Sequence, residues 1–168
     1  QRAGVEISFV CSGVPGETSI EGYQRLKEAL KDGCPDIVTI MYGTNDCQID
    51  PWSRKALVSI GDYKKTIRSM TELVKEKGGK VILMSPPPMS SWELQAEDDS
   101  LNLNKLLLPY VKSLKDISEE ENTLFVDHFH LWKDQDYHRW LPDGVHPNEE
   151  GQAELARALF ATICKTVY

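Results

Sequence analysis

The sequence has no excess of positive charge and no long hydrophobic segment. Its 19 lysines and arginines are outnumbered by 26 aspartates and glutamates, giving a formal net charge of -7. Nucleic acids and anionic membrane surfaces need clustered basic residues, so we expect neither as a partner. No apolar run approaches the ~18 residues that span a bilayer, and residues 1–10 do not resemble a signal peptide. A mature secreted protein would look the same, so the compartment stays open, as does the oligomeric state.

Cysteine is scarce, and its spacing matches no metal site. The four cysteines form no Cys-x-x-Cys pair and no cysteine–histidine zinc pattern. His128 and His130 follow Asp127 at a spacing that can bind metal, but no further carboxylate or cysteine pattern completes such a site. We therefore expect free thiols, no metal and no cofactor.

Short apolar runs alternate with amphipathic stretches along the whole sequence. The runs predict four strands, at Val5–Val10, Asp36–Met41, Lys80–Ser85 and Thr123–Asp127. Apolar residues at spacings of three and four predict helices at about 20–33, 60–77, 103–117, with a kink or restart at Pro109, and 149–165. This alternation predicts one α/β domain over residues 1–168, with a parallel sheet and helices on both faces.

The polar motifs of the sequence all follow the carboxyl ends of predicted strands. This edge of a parallel sheet carries the binding and catalytic loops in α/β proteins. The motifs are residues 12–19, 43–46, 86–92 and 127–146, the last of them predicted to be a loop that continues to Asn148. Their common position predicts one functional site at this edge.

Asp143 and His146 lie three residues apart, between a Leu-Pro turn signal and the last helix. A carboxylate that accepts from one imidazole nitrogen leaves the other free to take a hydroxyl proton. Such general-base catalysis contributes roughly 10²–10⁴-fold in rate. The alternative is that Asp143 is only a turn residue and His146 only begins a helix.

Asn45 and Gly16 are candidate donors to a developing oxyanion. The Asn45 side-chain amide follows a buried strand, and the backbone N–H of Gly16 has no side chain to block a substrate. A plain Asx turn and a plain turn glycine are the alternatives. Trp92 and Trp140 lie on neighbouring predicted loops, where they either line a substrate pocket or cover the edge of the core.

Three segments resemble blocks II, III and V of the SGNH (GDSL-type) hydrolases, in the family's order and spacing. They are residues 13–18 (Gly-Val-Pro-Gly-Glu-Thr), 43–46 (Gly-Thr-Asn-Asp) and 143–148 (Asp-Gly-Val-His-Pro-Asn). The resemblance implies a three-layer α/β/α fold with a flavodoxin-like parallel sheet. It also implies metal-free hydrolysis of small acyl esters, including acetyl groups on carbohydrate, through an acyl-enzyme. In that scheme Gly16 and Asn45 bind the oxyanion, His146 is the base and Asp143 orients it.

The sequence lacks the Gly-Asp-Ser motif that opens this family, and with it the nucleophilic serine. The family's sheet order resembles 2-1-3-4-5, so the missing first strand would be central. Without it, its two neighbours would be roughly 9–10 Å apart, twice the normal strand spacing.

Three explanations stay open for the missing serine. A segment of roughly 30 residues, the size of a strand and its connection, precedes Gln1 or belongs to another chain. Alternatively, the strand is absent and the protein is a non-catalytic relative that binds a carbohydrate or acyl ligand, with another subunit in the slot or a rearranged sheet. In the third explanation, Ile7 to Val10 form the central strand and Ser12 is a surrogate nucleophile.

Overall fold

A parallel three-stranded sheet organises the part of the chain that the structure describes. This structure is a computed structural model and describes residues 8–90, 103–133 and 135–167. The strands are β1 (Ile37–Ile40), β2 (Lys80–Met84) and β3 (Leu124–Val126), in the order β1-β2-β3. In their register Val38 lies opposite Val81, and Ile82 lies opposite Leu124. The last three of the four predicted strands are therefore confirmed.

Five α-helices and one short 3-10 helix connect and flank these strands in the described residues. The α-helices are α1 (Ser19–Ala29), α2 (Ile60–Glu76), α3 (Leu103–Glu120), α4 (His128–Lys133) and α5 (Glu149–Val167). The 3-10 helix is Tyr137–Trp140. The four long helices confirm the predicted amphipathic segments.

Helix α2 shows how the sequence specifies these elements. Ser59 caps its first turn, because the Ser59 side chain accepts a hydrogen bond from the backbone N–H of Asp62. Tyr63, Ile67, Met70 and Val74 recur at spacings of three and four, and all are buried. The helix ends before Gly78, whose φ of +84° is the left-handed conformation that glycine adopts most easily.

The sheet is covered on both faces at its central strand. Helices α2 and α3 connect strands that advance in one direction, so right-handed crossovers place both on the same face. Helix α1 packs beside α2, and α5 packs against β3. Val81, Ile82 and Leu83 are all buried, although successive side chains of a strand point to opposite faces. The fold is therefore of the three-layer α/β/α class, as expected.

Strand β1 is exposed along one face and one edge. Ile37 and Met41 share a face with Thr39, and the two apolar side chains are 42% and 41% exposed. Among the described residues β1 pairs only with β2, which leaves its other edge without a neighbouring strand. Because apolar strands in parallel sheets are usually covered on both faces, this side of β1 is a site where further structure fits.

The prediction of a strand at Val5–Val10 is wrong for the residues of it that the structure describes. Ser8 to Val10 are not in a strand, and Phe9 is 89% exposed. The physical reason is that a strand needs a hydrogen-bonded neighbour, and these residues pair with none of the described strands. The rest of that predicted strand lies outside the described residues.

Two further predictions concern Pro109 and the loop after β3, and the second needs correction. Helix α3 runs through Pro109 without a restart, because Leu107, Tyr110 and Leu114 on both sides of it are buried in the same core and packing offsets the lost backbone hydrogen bond. The kink at Pro109 stays a prediction. The predicted loop from His128 to Asn148 contains α4 and the 3-10 helix. Helix α4 forms because Phe129 and Trp132 are buried and Asp127 accepts from the backbone N–H of His130.

Because His128 is buried, we expect the protein to lose stability in acid. Its side chain is 1% exposed, its Nδ1 has no hydrogen-bond partner among the described residues, and burial lowers its pKa to about 4. The folded state therefore keeps His128 neutral, while the unfolded chain protonates it below about pH 6.5. Above that pH, His128 does not reduce the free energy of unfolding. As the pH drops towards 4, protonation of His128 in the unfolded chain lowers the free energy of unfolding by about 3 kcal/mol.

The His128→Leu variant tests this expectation by urea unfolding at several pH values between 7 and 4. The variant cannot titrate at this position, so its unfolding free energy should fall less steeply than that of the wild type. Equal slopes for the two proteins would contradict the assignment.

Candidate active site

A tight turn before α1 carries Gly16. The backbone N–H of Glu17 donates to Val14 O over 3.3 Å, with Pro15 and Gly16 at the centre of the turn. Gly16 has a φ of +78°, and proline followed by glycine is the sequence that a type II turn favours. The turn leaves Gly16 exposed, and no atom of the described residues lies within 4 Å of the position that a Cβ would occupy. A ligand can therefore approach this backbone closely.

The loop after β1 places Asn45 against this same turn. Asn45 Nδ2 donates to the backbone carbonyl of Glu17 over 2.9 Å, and Asn45 Oδ1 accepts from Gln48 Nε2 over 3.2 Å. These two contacts orient the amide and leave its second N–H available. The two predicted oxyanion donors, which are 29 positions apart in sequence, thus lie on loops in direct contact.

Asp46 is a buried carboxylate that joins these two loops. One oxygen accepts from the backbone N–H and the hydroxyl of Ser19, over 2.9 and 2.5 Å, and the other accepts from the Gly43 N–H over 3.0 Å. Burial raises the pKa of Asp46, while these hydrogen bonds to its charged form oppose that shift. Asp46 belongs to the Gly-Thr-Asn-Asp motif, but nothing in the sequence indicated this anchoring role, because Ser19 is 27 positions away.

Asp143 and His146 form the predicted pair. Asp143 Oδ1 accepts from the backbone N–H groups of Val145 and His146, over 2.9 and 2.7 Å, and Oδ2 contacts His146 Nδ1 at 2.6 Å. The backbone N–H of His146 is the largest cause that lowers the pKa of Asp143 far below its usual value. An ionised Asp143 fixes the proton on Nδ1 and leaves Nε2 as the proton acceptor.

The loop after β2 supports the turn that carries this pair. The backbone N–H of Ser90 donates to Gly144 O over 2.7 Å, and Ser90 Oγ lies 2.6 Å from His138 Nδ1. This serine–histidine contact was not predicted. In the described part of the chain no carboxylate bonds to the ring of His138, so the contact lacks the orienting acid that the Asp143–His146 pair has.

A second aspartate–histidine pair has nearly the same geometry. Asp127 Oδ2 lies 2.8 Å from His130 Nδ1, again three residues on, and Asp127 Oδ1 accepts from the His130 backbone N–H. Asp127 also accepts from the Ser85 hydroxyl at 3.3 Å. From sequence, these residues suggested only a possible metal site. The pair offers a matched comparison for His146.

The remaining predicted site residues are Ser12, Trp140 and Trp92. Ser12 is exposed, follows no strand in the described residues, and makes no side-chain hydrogen bond there. Trp140 is 6% exposed and packs edge-on against Trp132, with ring centroids 4.8 Å apart. Trp92 lies outside the described residues.

Trp140 does line an open cavity of about 610 Å³, whose walls include residues of α4, the 3-10 helix and α5. None of the four residues Gly16, Asn45, Asp143 and His146 lines it. The burial of Trp140 agrees with a role at the edge of the core, and its role in a substrate pocket stays a prediction.

The described residues include no group of three or more histidine, cysteine or acidic side chains that could hold a metal ion. Among their helices, none has both the length and the apolar character needed to cross a membrane.

The comparison with protein families decides the classification. The sequence model of the GDSL-like lipase/acylhydrolase family matches residues 1–154. The chain belongs to this family. The resemblance based on three short segments is therefore confirmed over most of the sequence.

Curated relatives and solved structures carry esterase names. The chain is 32% identical to an acetylxylan esterase from Geobacillus stearothermophilus, over 94% of this chain and 72% of the relative. It is 28% identical to the human isoamyl acetate-hydrolyzing esterase 1 homolog, over 79% of this chain. The chain thus spans 57% of the length of that human relative.

The fold comparison agrees with the sequence comparison. A crystal structure of an acetylxylan esterase from Geobacillus stearothermophilus matches with a TM-score of 0.70 and 29% identity, covering 88% of this chain and 68% of that one. A lipase/acylhydrolase from Enterococcus faecalis matches with a TM-score of 0.67 at 22% identity, which supports the fold alone.

Asp46→Asn should destabilise the protein by about 2–4 kcal/mol, because asparagine places an amide N–H₂ where the carboxylate now accepts from Ser19 or Gly43. Urea unfolding at pH 7 measures the loss. Asp62→Asn is the matched control, since Asp62 accepts from Ser59 on the exposed first turn of α2 and should change stability by less than about 1 kcal/mol. Equal losses for both variants would contradict the anchoring role of Asp46.

Proposed function

We propose that the protein is a serine-type ester hydrolase acting on small acyl esters, with acetyl esters as the first class to test. The observation that carries this proposal is the Asp143–His146 pair, whose Nε2 is available as a base. The second support is Asn45, held on the turn that carries Gly16. The relatives named as acetylxylan and isoamyl acetate esterases indicate acetyl groups, including those on carbohydrate.

The arrangement supports acyl transfer in two steps. His146 Nε2 takes the proton of a serine hydroxyl as the serine oxygen attacks the ester carbonyl, and Asp143 stabilises the resulting imidazolium. The oxyanion accepts from the Gly16 N–H and the second N–H of Asn45 Nδ2. The alcohol leaves with the proton from His146, and a water molecule then hydrolyses the acyl-enzyme by the same route. Structures of the Geobacillus enzyme include catalytic mutants with a serine or a histidine replaced by alanine.

We place the nucleophilic serine on a strand that pairs with the open edge of β1, in a segment preceding Gln1. Neighbouring strands lie roughly 4.8 Å apart, so a serine at the carboxyl end of that strand would be next to the Asn45 loop. The exposed apolar face of β1 supports this placement. Residues 1–168 would then form one SGNH-type domain without its first strand and helix.

The alternative with Ser12 as nucleophile has less support. It required a strand ending at Val10, and Ser8 to Val10 are not in a strand. A non-catalytic relative that binds a carbohydrate or acyl ligand would have no use for an ionised aspartate that keeps a histidine nitrogen free.

Labelling with a fluorophosphonate, followed by mapping of the modified serine, separates these proposals. The full-length protein is the sample, with hydrolysis of 4-nitrophenyl acetate as the parallel assay. We expect the label upstream of Gln1. A label on Ser12 would overturn the placement of the nucleophile, and the absence of both label and hydrolysis would overturn the enzymatic function.

His146→Ala should lower kcat for 4-nitrophenyl acetate by about 10²–10⁴-fold, because no base remains for the serine proton. His130→Ala is the matched control: it removes the other histidine held by an aspartate three residues before it, and should leave kcat unchanged. Circular dichroism and thermal unfolding confirm that both variants fold. Full activity of His146→Ala would show that the base lies elsewhere.

A further inference from the structure

Glu17 contacts the loop after β1, which carries Asn45, through both its backbone and its side chain. Its backbone carbonyl accepts from Asn45 Nδ2, as described above. Its carboxylate accepts from the hydroxyl of Tyr42 over 2.8 Å, and Tyr42 precedes Asn45 by three residues in the loop after β1. One residue next to Gly16 thus has two hydrogen bonds to the loop that carries the other donor.

Arg25 holds the Glu17 carboxylate in place from α1. Its Nε and Nη2 donate to the two oxygens of Glu17 over 2.7 and 2.8 Å, a bidentate pair of fixed orientation. The Glu17 side chain is 8% exposed, so water competes little for these contacts. The hydrogen bonds from Arg25 and, to a smaller extent, Tyr42 lower the pKa of Glu17. The carboxylate is therefore ionised at neutral pH.

The Tyr42 hydroxyl packs directly against the backbone of α1 at Gly22. A Cβ at Gly22 would lie 1.9 Å from the Tyr42 hydroxyl oxygen, far inside van der Waals contact. Any other residue at position 22 would therefore displace the tyrosine from Glu17. At its other side, the backbone carbonyl of Tyr42 accepts from the Tyr63 hydroxyl of α2 over 2.8 Å, so the start of the loop is fixed to the core.

The contacts also determine which way the Asn45 amide faces. Reversing the amide would bring Asn45 Oδ1 against the Glu17 carbonyl, two acceptors facing each other, and would lose the hydrogen bond to Asn45 Nδ2. The position of the Glu17 carbonyl therefore sets the direction in which the second N–H of the amide points. The turn that contains Gly16 and Glu17 also sets the direction of the Gly16 N–H.

We propose that Glu17 is a positioning residue for the oxyanion site: clamped by Arg25 and Tyr42, it sets the geometry of the Gly16 and Asn45 donors relative to each other. Glu17 itself does not touch the substrate. This inference rests on the proposed esterase function. It assigns a catalytic consequence to an ion pair and a tyrosine that lie outside the Asp143–His146 pair.

Tyr42→Phe is the sharpest test, because it removes only the hydroxyl. In the full-length protein we expect kcat for 4-nitrophenyl acetate to fall about 3- to 10-fold, the effect of one hydrogen bond, with KM within about twofold. In the Asn45→Ala background the same change should cause no further loss of kcat, since the donor it positions is gone. Tyr23→Phe on α1 is the matched control; this hydroxyl makes no hydrogen bond within the described residues, and kcat should not change.

Thermal unfolding separates positioning from a purely structural role. Tyr42→Phe should lower the melting temperature by the same amount with Asn45 or Ala at position 45, whereas its effect on kcat should appear only with Asn45. Glu17→Gln keeps the size of the side chain but breaks the charge pair with Arg25, and should show the same pattern. A loss of kcat that is equal in both backgrounds would overturn the proposal.

A readout without catalysis keeps this test independent of the esterase function. The side-chain amide of Asn45 gives two proton–nitrogen signals in NMR spectra, assigned by their loss in Asn45→Ala. Tyr42→Phe should move both signals, and Tyr23→Phe should not. Unmoved signals would overturn the positioning role, whereas moved signals in a protein that hydrolyses no ester would contradict only the proposed function.

Discussion

The buried carboxylate of Asp46 is the interaction on which the candidate site depends. It satisfies the first N–H group of α1 and the N–H of Gly43, so two segments far apart in sequence share one acceptor. A buried charge is costly unless several donors surround it, and here three hydrogen bonds do so. Because a hydrogen bond needs a narrow range of distance and angle, this carboxylate fixes how the Gly16 turn lies on the Asn45 loop.

The two halves of the candidate site are built in different ways. The half proposed to bind the oxyanion is held by hydrogen bonds between loops, most of them partly or fully shielded from water. The half proposed for acid–base chemistry is held locally, by backbone N–H groups of the same turn, and the His146 side chain is 78% exposed. Donors that must not reorganise during reaction benefit from a rigid setting, whereas a base must reach its proton and release it again.

The sequence predicted three strands and the four long helices, and it missed the contacts that connect the loops of the candidate site. The roles of the site residues stay predictions. Periodicity located α2 and β2, since burial on one face or on both leaves a regular pattern. It also suggested a strand at Val5–Val10, because apolar alternation cannot show whether a neighbouring strand exists. The Glu17–Arg25–Tyr42 cluster left no local signal, since Tyr42 is 25 residues from Glu17 and only the fold brings them together. The two Asp-x-x-His pairs have nearly the same geometry, and it is the longer family motif at residues 143–148 that distinguishes them.

The side of β1 that is open among the described residues has a consequence for how the protein associates with other chains. An unpaired edge presents a row of backbone N–H and C=O groups, and the adjacent face exposes Ile37 and Met41. Such an edge accepts any extended chain that meets it, including another copy of the same strand. Wherever this edge stays unpaired, β1 is a template for intermolecular β-pairing, and the colloidal stability of the protein depends on what occupies the edge.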